Sequence, residues 1–389
     1  MSRRPLPRAV WALGMVSLLM DSSSEMVHAL LPLFMTGVLG ASMLEVGLIE
    51  GIAEGTAAIV KVFSGTLSDW LGRRKLLLVV GYGLAALSKP LFPLATSIGL
   101  VAGARFVDRV GKGIRGAPRD ALVADVTPPE LRGAAYGLRQ ALDSVGAVLG
   151  PLAAVVLMAL FAESLRAVLW VAVAPAFAAL VVIAFAVREP VRLAAAKPAS
   201  PLSWAMLGRL GTRYWLVVAL GAVLTLARFS EAFLVLRAAD VGLAPTYVPL
   251  VMVAMSAVYA ATSYPAGIAA DRGKRRALIV WGLAMLIAAD LALGAAHTVA
   301  TMFAGVALWG VHMGLTQGLL SALVAEAAPA EARGTAFGVF NLVTGLALIG
   351  ASLLAGWLWS AHGPASTFYA GAAFTAVALV GLLAASRPS

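Results

Sequence analysis

The chain has 389 residues, of which 61% are apolar and only 12% charged, and it contains no cysteine. A mean hydropathy of +0.92 over that length excludes a soluble domain, and the missing cysteines exclude disulfides and thiolate metal sites. The formal charge of +10 does not require a nucleic-acid partner, because the basic residues are dispersed among short loops and one internal stripe.

A run of about 20 apolar residues spans the hydrocarbon core of a bilayer. Such runs predict a first set of helices at 8–35, 44–70, 75–93, 98–124, 134–160 and 167–187, and a second at 214–236, 246–270, 276–295, 299–325, 335–359 and 366–386. The expected fold class is an all-α membrane protein of twelve transmembrane helices in two six-helix bundles. The start, SRRPLPRAVWALGMVSLLMD, continues into polar residues without a small-residue cleavage site and is read as a retained first helix. Most Lys and Arg outside the helices fall in alternate connections: RRPLPR, GRRK, PPELRG, REPVRLAAAKP, DRGKRR and AEARG. That bias places these connections and both termini on the cytoplasmic side of a multi-pass protein, expected in a bacterial inner (plasma) membrane.

The longest connection, polar and basic, divides the chain into an N-terminal bundle at 1–187, a cytoplasmic linker at 188–213 and a C-terminal bundle at 214–389. The halves are related. Pro129-Glu130-Leu131-Arg132-Gly133 reappears as Ala330-Glu331-Ala332-Arg333-Gly334, and Ala121-Leu122-Val123-Ala124-Asp125 as Ala322-Leu323-Val324-Ala325-Glu326, both displaced by 201 positions. Gly65, Asp69, Gly72 and the basic residues that follow reappear at Gly267, Asp271, Gly273 and Lys274-Arg275-Arg276. A duplicated six-helix unit accounts for all of these.

The stretch Gly65-Thr66-Leu67-Ser68-Asp69-Trp70-Leu71-Gly72-Arg73-Arg74-Lys75 resembles the loop signature GxxxDxxGRRK of the major facilitator superfamily. With the weaker copy at Gly267 to Arg276 and the parallel repeat, the resemblance covers nearly the whole chain. Arg105 resembles the family's fourth-helix arginine. Gly146, Gly150 and Pro151 resemble the fifth-helix GxxxGP pattern of the drug and proton antiporter branch. The resemblance implies a secondary transporter working by alternating access. In such a protein Gly65, Asp69, Gly72, Arg73, Asp271, Arg132, Arg333, Gly146, Gly150 and Pro151 belong to the conformational gate. Asp69 at a helix end can accept hydrogen bonds from a neighbouring helix N-terminus or an arginine, and so latch one side shut.

The residues themselves point to an internal charged site. Arg105, Arg109, Lys112, Arg115 and Arg119 form one basic stripe on the predicted helix 98–124. Facing lipid, they would cost roughly 15 kcal/mol, so the stripe faces protein or water. Ser17, Asp21, Ser24, Glu25 and His28 share one face of the first helix, and Glu50, Glu54 and Lys61 one face of the second. Proton coupling is assigned to Asp21, Glu25, Glu54 and Asp108. Substrate binding is assigned to Arg105, Arg109, Lys112, His28, Tyr259, His312, Gln317 and Asn341. An internal ion-pair network that meets no substrate stands beside this reading.

No metal cluster, nucleophile–base pair or phosphate loop appears, so neither an enzyme nor a cofactor is expected. The expected partners are a small-molecule substrate, protons and membrane lipid, with no nucleic acid, in a monomer. The favoured function is proton-coupled movement of an anionic or zwitterionic organic solute. The alternatives are a proton-driven exporter of amphiphilic cationic drugs and a non-transporting sensor of the same fold.

Overall fold

A computed structural model describes residues 5–187, 189, 207–316, 319–329 and 332–384. Gln317 and the side chains of Asp271 and Arg333, all named above, lie outside the described residues. The described residues are helical throughout, with no strand among them. The first elements are α1 (Arg8–Leu33), α2 (Met43–Leu71), α3 (Arg74–Ser88), α4 (Leu91–Leu94), α5 (Ile98–Asp125), α6 (Arg132–Leu160), α7 (Leu165–Val171) and α8 (Val173–Ala186). There follow α9 (Thr212–Ala227), α10 (Ala232–Asp240), α11 (Leu250–Ala269), α12 (Arg275–Gly294), α13 (Val299–Thr316), α14 (Leu319–Ala327), α15 (Arg333–His362) and α16 (Pro364–Ala384).

Among the described residues, nine helical stretches are long and apolar enough to cross a membrane. The helices α1, α2 and α5, at 26, 29 and 28 residues, are as long but carry the charged residues singled out above. The chain is therefore a multi-pass integral membrane protein.

Local sequence sets the helix ends. Ser42 and Glu45 form a reciprocal cap at the start of α2: the Ser42 backbone N–H and hydroxyl each donate to the Glu45 carboxylate at 2.8 Å, and the Glu45 N–H donates to the Ser42 hydroxyl at 3.2 Å. Ser97 caps α5 by accepting the Leu100 N–H at 3.3 Å. Gly72, at φ +61°, turns the chain out of α2, and Gly273, at φ +81°, makes the same turn before α12. A left-handed residue at both places explains why the repeat keeps glycine there.

The chain gathers into two compact units, one of Met1–Leu31 and Thr56–Ser200, the other of Pro32–Gly55 and Pro201–Ser389. In the first, α3 packs along α5 and α8 around a core that includes Leu13, Met20, Leu78, Tyr82, Leu122 and Ile183. In the second, α12 packs against α13 and α16, and α9 against α15. The first half of α2 belongs to this second unit because Gly47, Gly51 and Gly55 lay its backbone on α15. A Cβ at Gly47 would stand 2.2 Å from the Ser352 carbonyl oxygen, and one at Gly55 would stand 2.8 Å from that of Gly345. Small residues four apart allow this approach of two helix backbones.

Candidate functional site

The charged residues of the first unit separate into two groups along α5 and a third at its end. The first surrounds Asp108, which is almost fully buried. Lys89, between α3 and α4, donates from Nζ to Asp108 Oδ1 at 2.9 Å and to the Ser24 hydroxyl at 3.1 Å. Arg105 Nη1 and Arg109 Nε each lie 3.9 Å from Asp108 Oδ2. Lys89 and Arg105 are 1% and 0% exposed, so three cations converge on one carboxylate away from solvent. An ionised group in such a place needs opposite charge and hydrogen bonds to offset lost hydration. Asp108 supplies part of that.

Lys89 is the member that sequence reading missed. It stands in Ser88-Lys89-Pro90 within the last turns of the predicted helix 75–93, where a long basic side chain can reach the interface. The signal that could have found it is Pro90. A short helix resumes at Leu91, so the lysine lies inside a broken span rather than at its end.

The second group lies toward the C-terminal half of α5. Arg119 donates to the Ser17 hydroxyl at 2.9 Å and stands 3.5 Å from Asp120 and 3.6 Å from Asp143. Arg139 donates to Asp143 at 2.5 Å and lies 3.5 Å from Asp120. Arg115 stacks on the Tyr82 ring with its guanidinium carbon 4.6 Å from the centroid. Arg119, Arg139, Asp120 and Asp143, with the Ser17 hydroxyl, tie α1, α5 and α6 together and fit the ion-pair reading. Lys112, between the two groups, is exposed.

On α1, the His28 Nδ1 lies 3.4 Å from Glu25 Oε2. Asp21 and Glu25 both face α6, which approaches through the glycines of its GxxxGP stretch. A Cβ at Gly146 would meet the Leu18 carbonyl oxygen at 2.8 Å, and one at Gly150 the Ser22 carbonyl oxygen at 2.5 Å. Pro151 is buried within the same helix. Glu54, also a sequence candidate, falls in the second unit with the first half of α2, beside the fully buried Glu50.

The loop signature forms the third group. Arg74 is buried and joins two acids: Nη2 lies 3.1 Å from Asp69 Oδ1, and Nε 2.8 Å from Asp125 Oδ2. Glu189 accepts the backbone N–H groups of Arg74 and of Lys75, the latter at 3.1 Å, and so caps α3. Arg73 is exposed; the residue that engages Asp69 is its neighbour. A Cβ built on Gly65 would stand 3.4 Å from that of Ala117, an ordinary contact. Arg132 is exposed at the start of α6. In the second unit Arg275 pairs with Glu326.

Of the second-unit candidates, His312 is buried with Nδ1 on the Gly282 carbonyl oxygen at 2.8 Å, which fixes Nδ1 as the protonated nitrogen. Tyr259 and Asn341 are half-buried.

The sequence matches the family model of the Major Facilitator Superfamily over residues 13–237 and 229–389. The chain belongs to that superfamily. It is 31% identical over 382 residues to an uncharacterized MFS-type transporter of Methanocaldococcus jannaschii, covering 95% of this chain and 92% of the relative. It is 26% identical over 386 residues to the inner membrane transport protein YajR of Escherichia coli, covering 95% and 81%. Its fold matches the crystal structure of the nucleoside transporter NupG with a TM-score of 0.76 at 13% identity, over 98% of this chain and all of that one. Membership in this superfamily makes the protein a transporter of a small molecule, set in a membrane.

Proposed function

We propose that this facilitator carries a small organic anion or zwitterion by alternating access, driven by protons. The observation that carries the substrate class is the buried convergence of Lys89, Arg105 and Arg109 on Asp108. Three buried cations gathered around Asp108 form a strongly basic locus of the kind that receives a carboxylate or phosphate. The two guanidinium groups offer the parallel donors that such an anion accepts in pairs. Lys89 is already committed to Asp108 and Ser24, so it positions Asp108 while the arginines meet the substrate.

Proton coupling falls to α1. Asp21 and Glu25 stand one helical turn apart on the face of α1 that meets α6, and a buried carboxylate there can take up and release a proton during the cycle. Movement of α1 against α6 during the cycle changes the surroundings of both. The Arg74 bridge to Asp69 and Asp125 serves as a latch that must open on each turn of the cycle.

The test is uptake into liposomes by purified protein under an imposed pH gradient, with organic anions, zwitterions and amphiphilic cations offered in parallel. The reading expects gradient-driven accumulation of members of the first two classes. Accumulation of cations alone would favour the drug-export reading, and absence of any flux the sensor.

A further inference from the structure

Asp290, on α12 in the second unit, takes no part in the mechanism above. It is 0% exposed, and among the described residues neither of its carboxyl oxygens has a hydrogen-bond partner. A Cβ built on Gly371 of α16 would stand 2.7 Å from Asp290 Oδ2 and 3.2 Å from the Phe229 ring, so the carboxyl group and the ring edge both lie against the Gly371 backbone. Phe229 is the centre of a ring cluster, with centroids at 5.6 Å to Phe233, 5.5 Å to Trp309 and 5.5 Å to Phe368.

The titratable and charged groups on the neighbouring elements are these. From α13, His312 binds the Gly282 carbonyl oxygen, two turns along α12 from Asp290, or about 12 Å at the helical rise. From α10, Arg237 spends its donors on Asp240 and on the carbonyl oxygens of Leu293, Gly294 and Ala296. From α16, Tyr369 lays its ring on Gly294. Arg228 precedes Phe229 at the end of α9. Half-buried Tyr259 is the titratable group on α11, and Arg272 and Lys274 are exposed in the turn before α12.

An ionised carboxylate in this niche would stand without a hydrogen-bond donor among the described residues, with nothing to offset its lost hydration. A metal cation would need several oxygen ligands around it, whereas Oδ2 lies against the Gly371 backbone. A proton offsets the charge and needs no additional space. We propose that Asp290 is a binding site for an exchangeable proton in the second unit, separate from the carboxylates of α1. Its charge state then changes only when α12 and α16 part enough to admit water.

Infrared difference spectroscopy on the purified full-length protein tests this directly. The wild-type spectrum minus that of Asp290→Asn at neutral pH is expected to contain one carboxylic-acid carbonyl band, which shifts in D2O. The amide is the nearest stand-in for a neutral acid, so Asp290→Asn is also expected to melt no lower than wild type. Loss of carboxylate bands in place of the acid band would overturn the proposal, as would an acid band that does not shift in D2O. A variant that cannot be purified or melts well below wild type also contradicts it, because an isosteric neutral group would then fail where a neutral acid is claimed.

Discussion

Arg74 Nε stands 2.8 Å from Asp125 Oδ2 in the first unit, and 201 positions later in both residues Arg275 pairs with Glu326 in the second. The two halves thus repeat a tertiary contact as well as a sequence pattern. In the first unit both partners are largely buried, at 7% and 13% of the side chain, whereas in the second they are about half exposed, at 43% and 45%. Exposed pairs contribute little and buried pairs are costly to break, so the first copy is the stronger.

Arg74→Ala removes the cation 2.8 Å from Asp125 Oδ2 and the link to Asp69. The expected loss of stability is about 3 kcal/mol, with a much smaller loss for Arg275→Ala. Thermal melting of both variants in one detergent checks the asymmetry. Equal losses would mean that burial does not decide the strength of the pair.

Asp69→Asn keeps the shape of the latch but takes away the charge that Arg74 meets at 3.1 Å. Turnover is expected to change while substrate affinity stays near wild type, as a gate residue requires. Initial rates over a substrate series, at matched protein in the liposomes, separate the two. An altered affinity at unchanged turnover would remove Asp69 from the gate.

Gly150→Ala places a Cβ against the Ser22 carbonyl oxygen, where only 2.5 Å is free. Backbone cannot yield as a side-chain tip can, so α6 must move away from α1 at the level of Glu25. The expected cost is about 1 to 3 kcal/mol, together with weaker dependence of transport on the pH gradient. Gly83→Ala is the control. Nothing lies within 4 Å of a Cβ there, and alanine in a helix interior gains about 1 kcal/mol over glycine.

Much of this was legible in the sequence. Twenty-residue apolar runs mark the helices, because a bilayer forces backbone polar groups into helices. The offset of 201 aligned Asp125 with Glu326 before any contact was visible. Arg139 with Asp143 follows from their spacing on one helix. What was not legible depends on approach between helices distant in the chain. Lys89 finds Asp108 and Ser24 only once α1, α3 and α5 are packed. The choice of Arg74 over Arg73 is fixed by the turn at Gly72, which buries one and exposes the other. The packing of Gly47, Gly51 and Gly55 on α15 rests on a partner some 300 positions away, which no local pattern identifies.

The central claim is that Arg105 and Arg109, held around Asp108, bind the anionic group of the substrate. The most direct measurement is the affinity of an anion identified in the uptake screen for Arg109→Lys and Arg109→Gln, read by calorimetry on folded, purified protein. Arg109→Lys keeps the charge but loses the paired donors. The expected loss is about tenfold in affinity, or about 1.4 kcal/mol, with a larger loss for Arg109→Gln. Wild-type affinity in both variants would contradict the account, because a site that tolerates removal of both the donor pair and the charge at its centre is not where the anion binds.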